Sequence, residues 1–336
     1  MSLRFRRSMK IAPGLRLNFS KSGMGLSLGV PGARVSVNTR GDVYASTGIP
    51  GTGLYNVERA SLRARKRGKR KPMEEELVEQ IPAPTFFDSR KKKALFKALK
   101  NGNSESLVQV GKKFPEIEHI TTALDFPKSL MGPSSDVKKL LEVASRIWSR
   151  KNELERDPLF VDYAKGFQVT LIVAPGVSIP MQYGISAFGL AYIELLQLDG
   201  KFIEALEVAE SLPANQATAI AVCENEIQLG KWEQVLETTE EIENVDEATA
   251  LLLIYRAIAL RELGHLEAAI ETLKSARSSK SRHEDVLNKA LFERAVCYER
   301  LGKNSQARKD FEKILATDSD FPEVRDRLKR LTEEIE

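Results

Sequence analysis

Four stretches of the chain align with one another, and their spacing constrains the fold more than any other feature. They read LQLDGKFIEALEVAESL, IQLGKWEQVLETTEEI, RELGHLEAAIETLKSA and ERLGKNSQARKDFEKI. Each carries a leucine one or two positions before a glycine, and these glycines lie 30, 34 and 38 residues apart: Gly200, Gly230, Gly264 and Gly302. A small or branched residue follows each glycine after five positions: Ala205, Val235, Ala269 and Ala307. Internal repeats of this length are typical of arrays of helical hairpins.

The repeated pattern predicts two helices joined by a tight turn. A glycine allows positive φ where the chain leaves the first helix, and a small residue allows the second helix to cross closely over the first. Stacked helical hairpins form extended binding surfaces. The pattern therefore favours an interaction protein. The alternative is an irregular helical bundle in which the glycines recur by chance.

Residues 184–320 resemble tetratricopeptide repeats, whose period is 34 residues. The last unit carries the family pattern most fully, with Ala295 and Tyr298 before its glycine, Ala307 and Phe311 after it, and the ending ATDSDFPE. The remaining residues, up to the C-terminus, place apolar side chains at helical spacing among charges, which is typical of an end cap. The resemblance implies a tetratricopeptide-like α-solenoid over residues 184–336.

The resemblance also implies a concave groove lined by the first helix of each unit. Counting from the glycines gives eight inward positions: Leu190, Glu194, Ile220, Glu224, Ile254, Ile258, Phe292 and Val296. Family members that clamp a C-terminal carboxylate use Lys and Asn at such positions, and this chain has neither there. An apolar groove with glutamates suits a protein segment with apolar anchors and basic flanks. The alternative is that these side chains contact neighbouring helices.

The net charge of +4 conceals an uneven distribution along the 336 residues. Residues 1–72 hold 16 Lys or Arg and two acids, whereas the remainder holds 35 basic and 45 acidic residues. Residues 194–247 hold 14 acids and only two lysines. One end of the chain therefore attracts polyanions and the other repels them.

Residues 1–58 alternate short apolar runs with glycines, which predicts a small antiparallel all-β module. Pro-Gly turns recur in it as PGLRL, PGARV and PGTGL. The segment resembles a bacterial domain of unknown function, number 4236, at thirteen positions: Arg4, Phe5, Arg6, Ser8, Pro13, Gly14, Asn18, Ser20, Lys21, Gly23, Pro50, Gly51 and Gly53. The resemblance implies a bacterial origin and a β module, and it implies no activity.

Residues 59–88 are predicted to be a basic, proline-containing linker. Its first part, RASLRARKRGKRK, contains eight basic residues and no acid, and these are candidate anion-binding residues: Arg59, Arg63, Arg65, Lys66, Arg67, Lys69, Arg70 and Lys71. Such a run binds phosphate backbones or anionic lipid by charge alone. Two alternatives stay open, a solvated flexible linker and a segment that docks on the acidic repeats of the same chain.

Residues 89–183 are predicted to be helical with a β-hairpin near residues 167–182. The basic helix at 89–102 either lies on a membrane surface or forms a helical hairpin with residues 104–114. A further amphipathic helix is predicted at 137–151. In the hairpin, apolar residues alternate on both sides of a Pro-Gly turn.

The sequence carries no recognisable catalytic or cofactor motif. Three histidines and two cysteines are scattered without metal-ligand spacing, and phosphate-loop, nucleophile-elbow and HExxH motifs are absent from it. Few cysteines, no long apolar run and no apolar core behind the basic N-terminus predict a cytoplasmic protein without a transmembrane segment.

These observations predict an α+β multidomain protein in which a small antiparallel all-β module precedes a helical region with a short β-hairpin and a tetratricopeptide-like α-solenoid. The predicted function is that of a non-enzymatic protein-protein interaction scaffold or adaptor without a cofactor or metal. The alternative is nucleic-acid or anionic-surface binding through the basic module and linker, with the repeats recruiting a protein partner.

Overall fold

A computed structural model describes residues 82–130, 136–321 and 323–333 with their side chains, apart from the side chain of Ile172. Between residues 6 and 61 it describes the backbone of six strands. The described part of the chain is mostly helical, with tetratricopeptide-like helical hairpins and a small antiparallel hairpin of strands.

Six strands pair in sequence order as an antiparallel sheet. They are β1 (Arg6–Ala12), β2 (Leu15–Ser20), β3 (Gly23–Val30), β4 (Ala33–Asn38), β5 (Asp42–Gly48) and β6 (Tyr55–Ser61). The register of β1 against β2 shifts between Lys10 and Ala12. The side chains of this segment lie outside the described residues, so the all-β module itself stays a prediction.

The chain divides into two compact units. The first comprises Met1–Leu171 and Pro180–Asp199, and the second comprises Ile172–Ile179 and Gly200–Glu336. The predicted start of the repeats at residue 184 lies one helix before the division that follows Asp199.

The first unit contains seven described helices and a 3₁₀ turn at Pro115–Ile117. The helices are α1 (Arg90–Asn101), α2 (Ser104–Lys113), α3 (Glu118–Leu130), α4 (Val137–Trp148), α5 (Lys151–Arg156), α6 (Pro158–Ala164) and α7 (Ile185–Leu198). Helix α1 begins where the Ser89 hydroxyl accepts the backbone N–H of Lys92 and ends at Gly102, whose φ is +67°. The predicted helices at 89–102, 104–114 and 137–151 are therefore present, and α3, α5 and α6 were not predicted.

Aromatic packing explains why α7 belongs to the first unit. The rings of Phe126 on α3 and Phe188 on α7 lie 4.8 Å apart, and Trp148 on α4 stacks 6.4 Å from Phe188. Buried aromatic pairs add stabilisation beyond their buried area. The Tyr183 hydroxyl, just before α7, donates a 2.6 Å hydrogen bond to the Ala123 carbonyl oxygen.

A β-hairpin is present where the sequence predicts it. Strand β7 (Gln168–Ala174) pairs with β8 (Val177–Gln182) as a two-stranded sheet. The turn between them contains Gly176 with φ of +79°, a conformation that costs a residue with a side chain. The tip of this hairpin, Ile172–Ile179, belongs to the second unit.

The second unit is built of paired helices. They are α8 (Phe202–Glu210), α9 (Gln216–Gln228), α10 (Trp232–Thr238), α11 (Glu247–Glu262), α12 (Leu266–Ala276), α13 (Glu284–Arg300), α14 (Asn304–Thr317) and α15 (Val324–Glu333). The repeat glycines have φ of +75°, +67°, +86° and +68° in chain order. The small residue that follows each of them is 0% exposed: Ala205, Val235, Ala269 and Ala307. Both features that define the sequence repeat are thus present in the structure.

Helix α15 packs against the last helical hairpin of the described repeats. Val324 and Leu331 on α15 are buried in one apolar cluster with Phe311 and Ile314 of α14. The opposite side of α15 carries exposed charged residues, which is what a terminal repeat needs in contact with water. None of the helices in the described ranges is long and apolar enough to cross a bilayer.

Candidate protein-interaction surface

The first helices of the second, third and fourth repeats are α9, α11 and α13, and they carry six of the eight predicted groove residues. The structure buries most of the predicted apolar positions: Leu190 is 5% exposed, Ile220 1%, Ile254 0%, Ile258 8% and Val296 8%. These side chains therefore lie in helix–helix packing. Their burial favours helix contact over an open groove at these positions, and the groove itself stays a prediction.

Three of these residues belong to one cluster that also includes the hairpin tip. Ile220, Ile254 and Ile258 form part of the buried apolar cluster of the second unit, and Val177 of β8 is 1% exposed within the same cluster. The hairpin tip and these three predicted inward residues thus belong to one buried apolar cluster.

Phe292 on α13 is half-buried and packs toward the C-terminal cap. Its ring lies 5.9 Å from Phe311 and 5.5 Å from Phe321, and the guanidinium of Arg327 lies 5.3 Å above it. Arg327 also donates to Glu299 of α13 at 2.6 Å. The cap therefore contacts the first helix of the last repeat through an aromatic and an ionic interaction.

The two predicted glutamates are half-buried and lie in different units. Glu224 on α9 accepts a 2.6 Å hydrogen bond from the Tyr255 hydroxyl on α11. Glu194 lies on α7 of the first unit. Within the second unit, Glu224 is thus a connection between adjacent first helices.

A chain of ion pairs, which the sequence pattern did not predict, connects α11 with α13. Arg261 donates to both Glu262 and Glu293, the first at 2.9 Å. Arg300 donates to Glu262 at 2.8 and 2.9 Å, and Lys289 donates to Glu293 at 3.0 Å. Burial alone would raise the pKa of Glu262, but hydrogen bonds from Arg300 and Arg261 outweigh it and hold that pKa below the usual value.

Helical spacing contains the signal for these residues. Arg261 and Glu262 lie three and four positions after Ile258, and Arg300 lies four positions after Val296. Residues at these spacings share a helix face. Extending the predicted inward face by one turn identifies the ion-pair residues from sequence.

The second unit also exposes an acidic surface on α8, on α10 and in the loop before α11. Its eight glutamates are exposed, and none pairs with a basic side chain among the described residues: Glu204, Glu207, Glu210, Glu233, Glu237, Glu240, Glu241 and Glu243. We call these eight residues the acidic surface. Unpaired like charges of this density attract a basic partner over a distance of about one Debye length, roughly 8–10 Å.

The candidate anion-binding residues between Arg59 and Lys71 lie outside the residues whose side chains the structure describes. The described residues contain no group of three or more His, Cys, Asp or Glu side chains placed to hold a metal ion. Cys223 and Cys297 are free and buried. Burial raises the pKa of the Cys297 thiol to about 11 and raises that of Cys223 as well, so both thiols are unreactive packing groups at neutral pH.

Glu226 on α9 is a buried carboxyl beneath the acidic surface. It is 4% exposed, and burial raises its pKa to about 7. A 3.4 Å hydrogen bond from the Thr238 hydroxyl and the charge of Lys231 oppose this rise, whereas Glu210 and Glu237 add to it. The folded state therefore holds a proton on Glu226 in a pH range where the unfolded chain has lost it.

We expect Glu226→Gln to stabilise the protein at high pH only. Because the folded pKa is above the unfolded value, stability contributed by the protonated carboxyl is present below about pH 4.5 and is lost as pH rises through about 7. An amide cannot ionise, so the variant should gain about 1–3 kcal/mol in unfolding free energy at pH 8. Urea denaturation at pH 4.5 and pH 8 measures this difference. An equal effect at both pH values would show that the pKa of Glu226 is the same in the folded and unfolded states.

Two family models match parts of the chain. Residues 3–57 match a family described as a protein of unknown function (DUF4236), and residues 289–320 match a tetratricopeptide repeat. Both resemblances seen in the sequence are thus confirmed. No curated protein matches the chain.

Two solved structures resemble this one. The N-terminal domain of the EccA1 ATPase from the ESX-1 secretion system of Mycobacterium tuberculosis aligns with a TM-score of 0.52 and 12% identity, over 77% of this chain and 90% of that chain. The fold that this likeness shows for the present chain is a tetratricopeptide-like array. A thermophilic tetratricopeptide-repeat protein of Thermus thermophilus aligns with a TM-score of 0.41 and 15% identity, over 69% of this chain and 100% of that chain. The likeness to the mycobacterial domain shows the fold alone.

Proposed function

We propose that this protein is a bacterial, cytoplasmic, non-enzymatic scaffold or adaptor whose repeats bind a protein segment with apolar anchors and basic flanks. The acidic surface is the observation that carries the proposal, because eight exposed and unpaired carboxylates occur in one stretch of the second unit where only two lysines, Lys201 and Lys231, oppose them. The repeat architecture supports it, since stacked helical hairpins are extended binding surfaces. The buried free thiols support the cytoplasmic location.

Charge and apolar contact have separate roles in this proposal. Opposite charge at the rim of an interface accelerates association and selects the partner, whereas desolvated apolar anchors supply most of the affinity. The basic flanks of the partner are therefore expected to determine the association rate and its salt dependence, and the anchors the dissociation rate.

Reversing three charges of the acidic surface tests the proposal. The variant Glu204→Lys, Glu207→Lys, Glu233→Lys is compared with the natural chain as bait for affinity capture from a bacterial lysate, with the captured proteins identified by mass spectrometry. We expect the natural chain to retain at least one basic protein that the variant loses. With purified components at low salt, the captured protein should associate with the variant about tenfold or more slowly than with the natural chain. At high salt the two association rates should converge.

A matched control changes the net charge equally at another place. Glu105, Glu142 and Glu155 are exposed residues of the first unit, and their reversal to lysine should leave capture unchanged. If both triple variants lose the same proteins, capture depends on net charge alone. If neither variant loses any, the acidic surface is not a binding surface.

A further inference from the structure

The tip of the β-hairpin packs into the apolar cluster of the repeats. Of the tip residues, Val177 is buried at 1% exposure, and Val173, Ala174 and Ile179 are half-buried against the same cluster. The cluster includes Ile220 from α9 and side chains from α11. The tip thus shares one apolar cluster with residues of two successive first helices, and stacked repeats of this kind form extended binding surfaces.

The turn of the hairpin also lies directly against the last repeat. A Cβ atom built on Gly176 would lie 2.5 Å from Nδ1 and 2.8 Å from Cγ of His283. His283 caps α13, because its Nδ1 accepts the backbone N–H of Asp285 at 3.3 Å. The turn therefore lies against the start of the last repeat's first helix, and the tip shares its apolar cluster with residues of α9 and α11.

These contacts define which chemistry the face accepts. Gly176 has φ of +79° and no room for a side chain, so the turn residue must be glycine. The next residue, Val177, contributes the fully buried side chain, while Pro175 and Ser178 on either side of this pair are less buried. The face therefore recognises a turn in which glycine is followed by a β-branched apolar residue.

Charge contributes little to this recognition. Two pairs of polar groups link the first helices to one another, Tyr255 with Glu224 and Arg261 with Glu293. Paired groups offer a partner little further ionic interaction. Shape and apolar burial thus select the segment that binds here.

We infer that the hairpin tip is a resident ligand of the concave face, and that a partner binds by inserting its own glycine–β-branched turn in place of the tip. This inference rests on the proposed scaffold function and identifies the apolar anchor of the partner. The tip is held by the chain on both sides, so it competes at a high effective concentration and keeps the face closed to weak ligands. Burial of one valine side chain corresponds to about 10- to 100-fold in affinity. A longer partner segment overcomes this advantage of the tip.

A peptide with the hairpin sequence tests the inference on the full-length protein. The probe is a fluorescein-labelled peptide of residues 167–182, FQVTLIVAPGVSIPMQ, and binding is followed by fluorescence anisotropy. Val177→Asp in the protein should release the tip, because an unpaired carboxylate is costly in an apolar cluster. We expect this variant to bind the peptide about 10- to 100-fold more tightly than the natural chain. The same peptide carrying Asp at the valine position should bind neither protein.

Gly176→Ala provides a second, milder variant with a matched control. It adds a methyl group against His283 at a positive φ, whereas Gly264→Ala adds one at φ of +86° with nothing within 4 Å. Both substitutions strain the backbone, but only the first also introduces a clash between the tip and His283. We expect Gly176→Ala to increase peptide binding and Gly264→Ala to leave it unchanged.

Two results would overturn the inference. In one, both tip variants keep the natural circular dichroism spectrum and bind the peptide no better than the natural chain does. In the other, both lose the helical signal of the repeats, which would make the tip an inseparable part of the core. A captured partner that binds the natural chain and Val177→Asp equally well would support the scaffold function and refute the hairpin inference, so the two proposals fail separately.

Discussion

Ile254→Glu is expected to unfold the second unit. Ile254 is 0% exposed within the cluster that contains Ile220 and Ile258. The substitution removes a packed apolar side chain and places a carboxylate there without a partner, which together cost on the order of 5 kcal/mol or more. Native domains are stable by about 5–15 kcal/mol, so most of the native helical signal from the repeats should be lost at 25 °C. Far-UV circular dichroism and urea denaturation measure this loss.

The same substitution distinguishes the two roles that the sequence allows for Ile254, lining a groove or contacting a neighbouring helix. If Ile254 lined an open groove, the variant would keep its spectrum and lose only the binding of a partner. Ile203→Glu is the control, since Ile203 lies on α8 of the same unit and is 65% exposed. A surface change of this kind alters stability by about 0.5 kcal/mol or less. Equal urea midpoints for the two variants would show that Ile254 is accessible to solvent.

The helical phase of the repeats could be predicted because it is a local property. The glycine and the small residue five positions later recur with each repeat, and both take the expected conformation and burial. What covers the inward face could not be predicted in this way. The hairpin tip at 172–179 lies more than 40 residues from Ile220 in sequence, and a contact of that separation leaves no period in the chain. Five of the eight positions chosen as groove residues by phase alone are therefore buried.

The start of the repeats also differs between the sequence-based prediction and the structure. The sequence assigns α7 to the repeats because it precedes the first repeat glycine, Gly200. In the structure α7 packs on α3 and α4 through Phe188, Trp148 and Phe126. A helix with apolar residues on most of its surface can pack on either side, and its periodicity does not say which side is used. The helices on which α7 packs depend on aromatic side chains that are distant in sequence, Phe126 and Trp148.

The unpredicted helices of the first unit have a local cause. Pro127 lies inside α3, and a proline ordinarily marks the end of a helix in a sequence pattern. Helices α5 and α6 contain six and seven residues, which is too short for a helical period to stand out. Asp157 separates them, and its carboxylate accepts the backbone N–H of Leu159 at 2.8 Å, so the N-cap rather than the apolar pattern was the usable signal.

Arg294→Met is expected to destabilise the last repeat by about 3 kcal/mol. Arg294 on α13 donates to both carboxylate oxygens of Asp310 on α14, at 2.7 and 2.9 Å. The Asp310 side chain is 3% exposed. Removing its arginine leaves a buried charge that is still opposed by Lys313, through a 2.9 Å hydrogen bond, and by the charge of Arg277. Breaking one side of a buried pair costs more than the pair itself contributes, because the remaining charge stays out of water. Urea denaturation followed by circular dichroism measures the loss.

Two further variants test that explanation. The double variant Arg294→Met, Asp310→Leu removes both charges, and it should recover most of the lost stability because a buried pair is replaced by apolar side chains of similar size. Arg308→Met is the exposed control, since Arg308 pairs with Glu312 where the two side chains are 48% and 56% exposed, and it should cost less than about 1 kcal/mol. If Arg294→Met costs no more than Arg308→Met, Asp310 is solvated in the folded protein. If the double variant is as unstable as the single one, the guanidinium stabilises the helix pair by its packing, and desolvation of the carboxylate has no measurable part in it.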